Sequence, residues 1–158
     1  MNKNFIKIIT LSFFISFTAC SYKPIFSEKN YNFEIAEVFF VGEKKINRII
    51  ENKLNLIKKN DDKTMVSYVL NVRTKKQNKI ISKNSKGDPL KFEMSVLVEY
   101  NVLENGNLLL ERKIEKKNIY NNDDDLFKLE QSEKIIIENI SENISDTIIS
   151  SIINLNDN

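Results

Sequence analysis

Apolar residues recur with two different spacings along the chain, and the order of these spacings predicts the elements of one domain. The apolar segment Phe33–Val41 predicts the first strand. Beyond it, apolar residues recur every three or four positions, which predicts an amphipathic helix over Glu43–Lys59. Apolar and polar side chains then alternate over Val66–Arg73 and over Phe92–Val102, which predicts two strands that each bury one face.

A hairpin and a long helix complete the pattern. Asn105-Gly106 predicts a type I′ turn, because both central positions of that turn need a positive φ. The returning strand is predicted over Leu108–Tyr120, and a helical stripe from Leu126 to the C-terminus predicts a final amphipathic helix. Asp123–Asp125 offer side chains for the N-cap of this helix. The same carboxylates could bind calcium, although they lack the ligand spacing and central glycine of an EF-hand loop.

The order strand, helix, three strands, helix predicts a single α+β domain over residues 33–158. Two helices would pack on one face of a small, mostly antiparallel four-stranded sheet and bury their apolar stripes there. The open sheet face should be polar and charged, with a few apolar side chains such as Val69, Leu97 and Leu109. The polar stretch Thr74–Pro89 could extend its neighbouring strands at its ends, but its centre is predicted to be a charged loop.

The N-terminus has the layout of a secretory signal sequence. Residues 1–19 contain two lysines, the apolar run Ile8–Phe17 and a final pair of small residues. The run is too short to span a bilayer comfortably, which takes about 20 apolar residues. Phe17-Thr18-Ala19-Cys20 resembles the lipobox of bacterial lipoproteins, with Phe17 where that motif prefers Leu. The resemblance implies cleavage between Ala19 and Cys20 and a diacylglycerol on the Cys20 thiol. An ordinary signal peptide or an uncut membrane anchor is the alternative.

Cys20 is the only cysteine of the chain, so the exported protein has no second thiol with which to form a disulfide. Lipid attachment explains why a single cysteine is kept in an oxidising compartment. The mature protein is therefore expected in the periplasm, held at a membrane by its lipid. Residues 20–32, which include Pro24, would form the lipidated tether.

Composition argues against an enzyme and against a nucleic-acid-binding protein. The chain has no His and only three glycines, so it lacks the residues of His-dependent nucleophilic sites, of His/Cys metal clusters and of glycine-rich phosphate loops. No metal or cofactor is expected. The chain has 24 basic and 22 acidic residues, and two of the basic ones lie in the signal sequence, so the mature domain is neutral.

Two local motifs and the order of elements resemble one family. Cys20-Ser21-Tyr22-Lys23-Pro24-Ile25-Phe26 resembles the Cys-Gly-Phe-x-Pro-Leu-Tyr opening of the lipopolysaccharide-assembly lipoproteins, the LptE family, especially those of alphaproteobacteria. Ser21 replaces the usual Gly. The resemblance continues through Tyr68–Val72, through Val98–Val102 with its Asn105-Gly106 turn, and through Tyr120-Asn121 before the last helix.

This resemblance implies a lipoprotein on the periplasmic face of the outer membrane. Its partners would be a large LptD-type β-barrel, which it plugs and helps to assemble, and lipopolysaccharide, which the pair inserts into the outer leaflet. Ser21, rather than Asp, after the lipidated Cys favours the outer membrane by the rule of enteric bacteria. The rival interpretation is a periplasmic lipoprotein that binds a small solute or ligand without a barrel partner. A third and weaker interpretation is an envelope scaffold that holds proteins near the peptidoglycan.

One basic segment is a candidate for glycolipid contact. Met65–Lys91 contains seven basic residues and one acid, Asp88, whereas the charged residues after Tyr120 are nine acids and two lysines. Arg and Lys clusters bind phosphates and carboxylates through charge-assisted hydrogen bonds. Four of these residues are predicted to lie at a strand end and in the loop after it, where several could meet one anionic group: Arg73, Lys75, Lys76 and Lys79. Two solvated polar faces explain the same charges.

Overall fold

The computed structural model describes residues 33–57 and 66–156. The signal sequence, the tether with Cys20 and the last two residues lie outside this part of the chain. The described elements are β1 (Phe33–Gly42), α1 (Lys44–Asn55), β2 (Val66–Lys83), β3 (Pro89–Glu104), β4 (Asn107–Asn121) and α2 (Leu126–Asn156).

The four strands form one sheet in the order β1-β2-β3-β4. β1 runs parallel to β2, and the two following pairs are antiparallel. The predicted α+β class, with two helices and a mostly antiparallel four-stranded sheet in the order β-α-β-β-β-α, is confirmed. The predicted hairpin turn is also confirmed, because Asn105 has a φ of 49° and Gly106 a φ of 81°.

The core lies between one face of the sheet and the two helices. Leu70 and Val98 in the sheet are fully buried, as are Ile50 in α1 and Ile144 in α2. Buried positions alternate with exposed or half-buried ones from Tyr68 to Thr74 in β2 and from Val96 to Val102 in β3, as a sheet with one covered face requires. The helices run parallel to each other, since Lys45 and Lys53 of α1 pair with Glu138 and Asp146 of α2 at 3.9 and 3.4 Å.

β1 ends at Gly42 for a specific steric reason. Gly42 has a φ of 111°, and a Cβ at this position would lie 1.9 Å from the carbonyl oxygen of Thr74. The Glu43 N–H donates to Thr74 Oγ1 at 2.9 Å, and Thr74 Oγ1 donates to Asn47 Oδ1 at 2.6 Å. The chain therefore leaves the sheet here and enters α1, and β2 continues without β1 beside it.

The prediction of a charged loop at the centre of Thr74–Pro89 is wrong. β2 continues to Lys83, and only five residues separate it from β3. The turn is closed by Asn84, whose Oδ1 accepts from the N–H groups of Lys86 and Asp88 at 2.8 and 2.9 Å. The sequence does not alternate here because helix α1 does not cover this part of β2, so no core requires an apolar face. Backbone pairing with β3 is enough to keep it extended.

The buried face of α2 is tested by two isoleucines on the same helix. Ile144 is fully buried, whereas Ile135 is 55% exposed. Ile144→Asp would bury a carboxylate among apolar side chains, so we expect the free energy of unfolding to fall by about 3 kcal/mol or more. Ile135→Asp should change it by less than about 0.5 kcal/mol. Urea unfolding measures both, and equal losses would show that the helix face is misassigned.

Candidate functional site on the open sheet face

The face of the sheet that the helices leave open has ordered rows of polar side chains. β2 and β3 pair without a register shift from Tyr68 to Ile80, so the odd-numbered residues of β2 point to this face. Asn71 donates from Nδ2 to Asn101 Oδ1 across the strands at 2.8 Å. Two neighbouring rows cross the four strands from β1 to β4. One row is Val41, Arg73, Glu99 and Lys113, and the next is Phe39, Asn71, Asn101 and Glu111.

These two rows form a shallow groove of about 440 Å³. Phe39 and Val41 form its apolar side and are 53% and 59% exposed. Arg73 and Glu99 lie on the other side, so the groove combines apolar surface with charge. The sequence indicated an apolar β1, but it did not show that two large side chains of that strand would face solvent next to an arginine. The apolar residues that were expected on this face, Val69, Leu97 and Leu109, do not line the groove.

The predicted basic cluster lies within β2, not in a loop. Arg73, Lys75 and Lys79 are on the open face, and Lys76 is on the helix-facing side. At about 3.3 Å per residue, Arg73 and Lys75 are roughly 7 Å apart along the strand, and Lys79 is roughly 20 Å from Arg73. Arg73 and Lys75 can therefore share one anionic group, but Lys79 cannot join them and Lys76 faces the other way.

The carboxylates nearest to this basic strand are paired with the opposite neighbour. Glu99 lies directly across from Arg73, yet its Oε1 is 3.2 Å from Nζ of Lys113 on β4. Glu93, across from Lys79, is 3.8 Å from Lys117 of β4. Within residues 33–57 and 66–156, no carboxylate lies within 4 Å of the basic groups of β2. The basic groups of β2 therefore form no ion pair within the described domain.

The β4 edge is electrostatically different. Lys117 lies 3.3 Å from Glu115 as well as near Glu93. The hydrogen bond to Glu115 and its charge raise the pKa of Lys117, and the charge of Glu93 adds to the effect. On the open face of β4, acids alternate with bases in the order Glu111, Lys113, Glu115, Lys117, so the lysines of this face have acidic neighbours. This contrast between the two edge regions of the sheet cannot be seen in the overall charge.

An aromatic contact holds the far end of the sheet against α2. The rings of Phe92 and Tyr120 stack with centroids 5.4 Å apart. Tyr120 Oη donates to Glu133 Oε1 of α2 and accepts from Asn78 Nδ2 of β2 at 3.5 Å. Burial raises the pKa of Tyr120, and the hydrogen bond to Glu133 raises it further. This contact joins β2, β3, β4 and α2 where α1 is absent.

The acidic run before α2 caps the helix. Asp125 Oδ1 accepts from the N–H groups of Phe127 and Lys128 at 3.1 and 3.3 Å, which confirms the predicted N-cap. Asp123 accepts from the Asp125 N–H and shapes the turn before it.

In the part of the chain that the structure describes, no three His, Cys, Asp or Glu residues are arranged to hold a metal ion. Neither of the two described helices is both long and apolar enough to cross a membrane.

Sequence comparison gives no relatives for this chain: no protein-family model and no curated protein matches it. Solved structures do match. Rare lipoprotein B from Shewanella oneidensis is 22% identical with a TM-score of 0.56, over 73% of this chain and 92% of that one. Lipoprotein B from Nitrosomonas europaea is 15% identical with a TM-score of 0.54, over 82% and 88%. A minor lipoprotein from Acinetobacter baumannii is 16% identical with a TM-score of 0.51, over 73% and 90%.

The chain has the fold of these lipoproteins. At identities below a quarter, the similarity concerns the fold, and it agrees with the LptE-like fold implied by the sequence motifs. The matched regions cover most of each solved chain, so the likeness extends over the whole two-layer domain and not over one hairpin. Cys20 lies outside the described residues, and the proposed lipid attachment stays a prediction.

Two tyrosines test the aromatic contact. Tyr120→Phe removes a hydrogen bond to a carboxylate, and we expect the free energy of unfolding at pH 7 to fall by about 1 kcal/mol. Tyr100 is its control, because its buried hydroxyl has no hydrogen-bond partner among the described residues. Tyr100→Phe should be neutral or stabilising. Urea unfolding of both variants measures the difference, and equal losses would contradict the assignment of the Tyr120 contact.

The same contact predicts an alkaline dependence. An unfolded tyrosine ionises near its ordinary pKa of 10.0, whereas folded Tyr120 holds its proton to higher pH. The unfolded chain therefore binds fewer protons above pH 10, and stability should fall as the pH rises beyond this value. Tyr120→Phe should make this loss less steep than in the wild type. A variant with an unchanged slope between pH 9 and 11 would show that Tyr120 does not contribute.

Proposed function

We propose that this protein is a lipid-anchored lipoprotein of the outer membrane that plugs a large LptD-type β-barrel and helps it insert lipopolysaccharide into the outer leaflet. The observation on which the proposal rests is the likeness of the fold to solved lipoproteins, in a chain whose residues Phe17–Cys20 resemble a lipobox. A catalytic role is not part of the proposal, since the groove contains no nucleophile and base pair of the kind that an enzyme needs.

The shape of the domain supports a plug. β2 has 18 residues and would extend about 60 Å at 3.3 Å per residue. α2 has 31 residues and would extend about 46 Å. The sheet is only four strands wide, so the domain is long and narrow. Large outer-membrane barrels can hold a plug in the lumen, and their inner walls are polar, which suits the charged rows of the open face.

The two ends of the domain differ in a way that fits this orientation. The chain enters the sheet at Phe33, which lies opposite Val66 at the start of β2. The β2–β3 turn is at the other end of the sheet, about 55 Å from Phe33 along the strand. A lipid on Cys20 would hold the first end at the membrane leaflet. Exposed apolar side chains near the second end are available for the barrel: Ile80, Ile81, Leu90, Leu126 and Phe127.

The rival interpretation, a lipoprotein that binds a small solute, would use the groove on the open face. That groove lies on the outer surface of the sheet, and none of the described elements forms a second layer above it. Binding sites for small molecules usually bury 70–90% or more of the ligand surface. An open groove next to a positive strand suits contact with a larger amphipathic molecule better than capture of a small solute.

Contact with lipopolysaccharide is proposed for the positive stripe of β2. Arg73 and Lys75 are close enough to hold one phosphate between them, and Phe39 and Val41 give apolar surface beside Arg73. Lys79 would bind a separate anionic group further along. Lys76 would contribute only through its charge, because its side chain lies on the other face of the sheet.

The lipid anchor predicts the fate of a Cys20→Ala variant. Without the thiol no diacylglycerol can be attached, and we expect uncleaved precursor or a soluble form in place of the mature membrane-bound protein. Fractionation of the envelope and mass spectrometry of the N-terminus measure both outcomes. A Cys20→Ala protein that is processed and stays in the membrane as before would contradict lipidation.

The barrel partner is tested by purifying the tagged full-length protein from outer membranes. A large β-barrel protein should copurify in equal amount, and it should be lost from the Ile144→Asp variant, whose fold is disturbed, but not from Ile135→Asp. Recovery of the folded protein alone, or with only a small solute, would favour the rival interpretation.

Charge reversal tests the glycolipid contact. Arg73→Glu/Lys75→Glu should weaken binding of purified lipopolysaccharide by about tenfold at low salt, and the difference should shrink at high salt. Lys44→Glu/Arg48→Glu is the matched control, because it makes the same change in charge on the exposed side of α1. Equal binding by the two double variants would remove the β2 stripe from the proposal while leaving the barrel plug intact.

A further inference from the structure

The sheet has a regular strand edge that no described residue covers. β1 pairs with β2 only as far as Gly42 opposite Thr74. Beyond this point β2 continues in uninterrupted register with β3 to Ile80, and in the described domain nothing lies beside its other edge. We call the segment Lys75–Ile80 the free edge. In an antiparallel pair every second residue directs its N–H and C=O away from the partner, so roughly three residues of this edge present both groups outward.

The free edge is long enough to accept another strand. It has six residues, and strands in globular proteins are typically five or six residues long. Unpaired regular edges are templates for strand addition, and many proteins prevent this with bulges or inward-turned charges. β4, the other edge strand, has such a bulge at Leu109, where two residues oppose one. The free edge has no bulge before Ile80, and its protection is charge: Lys75, Lys76 and Lys79 repel another basic strand but not an acidic one.

Charge identifies the occupant. The free edge includes Lys75, Lys76 and Lys79 and no acid, and none of the three forms an ion pair with a described residue. A second copy of the same edge would place lysines opposite lysines, which destabilises a strand pair. Acidic residues opposite Lys75 and Lys79 would instead form cross-strand pairs on the open face.

We propose that the free edge binds an extended acidic segment of a protein partner by strand addition. Backbone hydrogen bonds would hold the segment, and its carboxylates would lie opposite Lys75 and Lys79 on one face and Lys76 on the other. The exposed Ile80 would take an apolar residue at the end of the added strand. This inference goes beyond the barrel plug and does not depend on it, since any acidic strand in the same compartment would satisfy the edge.

The test uses isotope-labelled full-length protein in detergent and a seven-residue peptide that alternates Glu with Val. Nuclear magnetic resonance titration should shift the amides of residues 75–80 and slow their hydrogen exchange. The same peptide with two central prolines keeps its charge but cannot pair as a strand, and it should bind at least tenfold more weakly. Equal binding of the two peptides would overturn strand addition and leave only charge attraction.

Variants of the protein separate backbone pairing from charge. Lys75→Glu/Lys79→Glu should weaken peptide binding about tenfold, and the Lys44→Glu/Arg48→Glu control should not. Gln77→Pro and Asn78→Pro each remove one N–H without changing charge, and one of these N–H groups points to β3 while its neighbour points outward. Thermal unfolding identifies which proline variant keeps the fold, and this should be the one whose replaced N–H points outward. That variant should no longer bind the Glu-Val peptide. Wild-type affinity in that variant would overturn the proposal.

Hydrogen exchange of the protein alone gives a further test. The outward amides of the free edge should exchange quickly before the peptide is added. Slow exchange there without peptide would show that a segment of the chain itself already occupies the edge, and the proposal would then be wrong. If both proline variants unfold, the comparison of the two peptides still decides between strand addition and charge attraction.

Discussion

The long antiparallel pairing of β2 with β3 is the constraint on which the rest of the structure depends. β1 covers only the first half of β2, and α1 extends no further than β1, so the second half of the sheet has neither neighbour. β3 and β4 continue to pair there, and α2 is long enough to reach the same end. The unequal lengths of these elements produce one thick end, which contains most of the core, and one thinner end.

The thinner end needs its own means of cohesion, because its β2 portion buries few apolar side chains. The stack of Phe92 on Tyr120 and the hydrogen bond from Tyr120 to Glu133 supply it, and Asn122 adds a backbone hydrogen bond to Leu90 at 2.8 Å. These contacts attach β3 and β4 to the start of α2. β2 is then held at this end by its ladder with β3. Its outer edge and its basic side chains therefore stay accessible without loss of the fold.

Periodicity predicted the fold well wherever a core imposes it. The alternation of β3 and the Asn105-Gly106 turn each reflect a local physical requirement and appear as predicted. The apolar stripe of α2 is buried from Ile137 to Ile152, whereas Leu126, where it was predicted to begin, is 72% exposed. The centre of Thr74–Pro89 was predicted wrongly for the opposite reason, because a strand with no covered face has no pattern to show. The end of β1 at Gly42 was equally hidden, since its cause is the approach of the Thr74 carbonyl, a contact between residues distant in sequence.

The candidate site was likewise predicted only where the sequence alone carries the information. The sequence identified the basic residues of β2 but could not divide them between faces, because that required the strand to continue past Arg73. It also could not show that Glu93 and Glu99 form their ion pairs with lysines of β4 and none with the basic residues of β2. Since surface ion pairs contribute little stability, this choice of partners costs the fold little. A neutral domain can thus present one positive strand to a partner, while its core, on the other face, sets its stability independently.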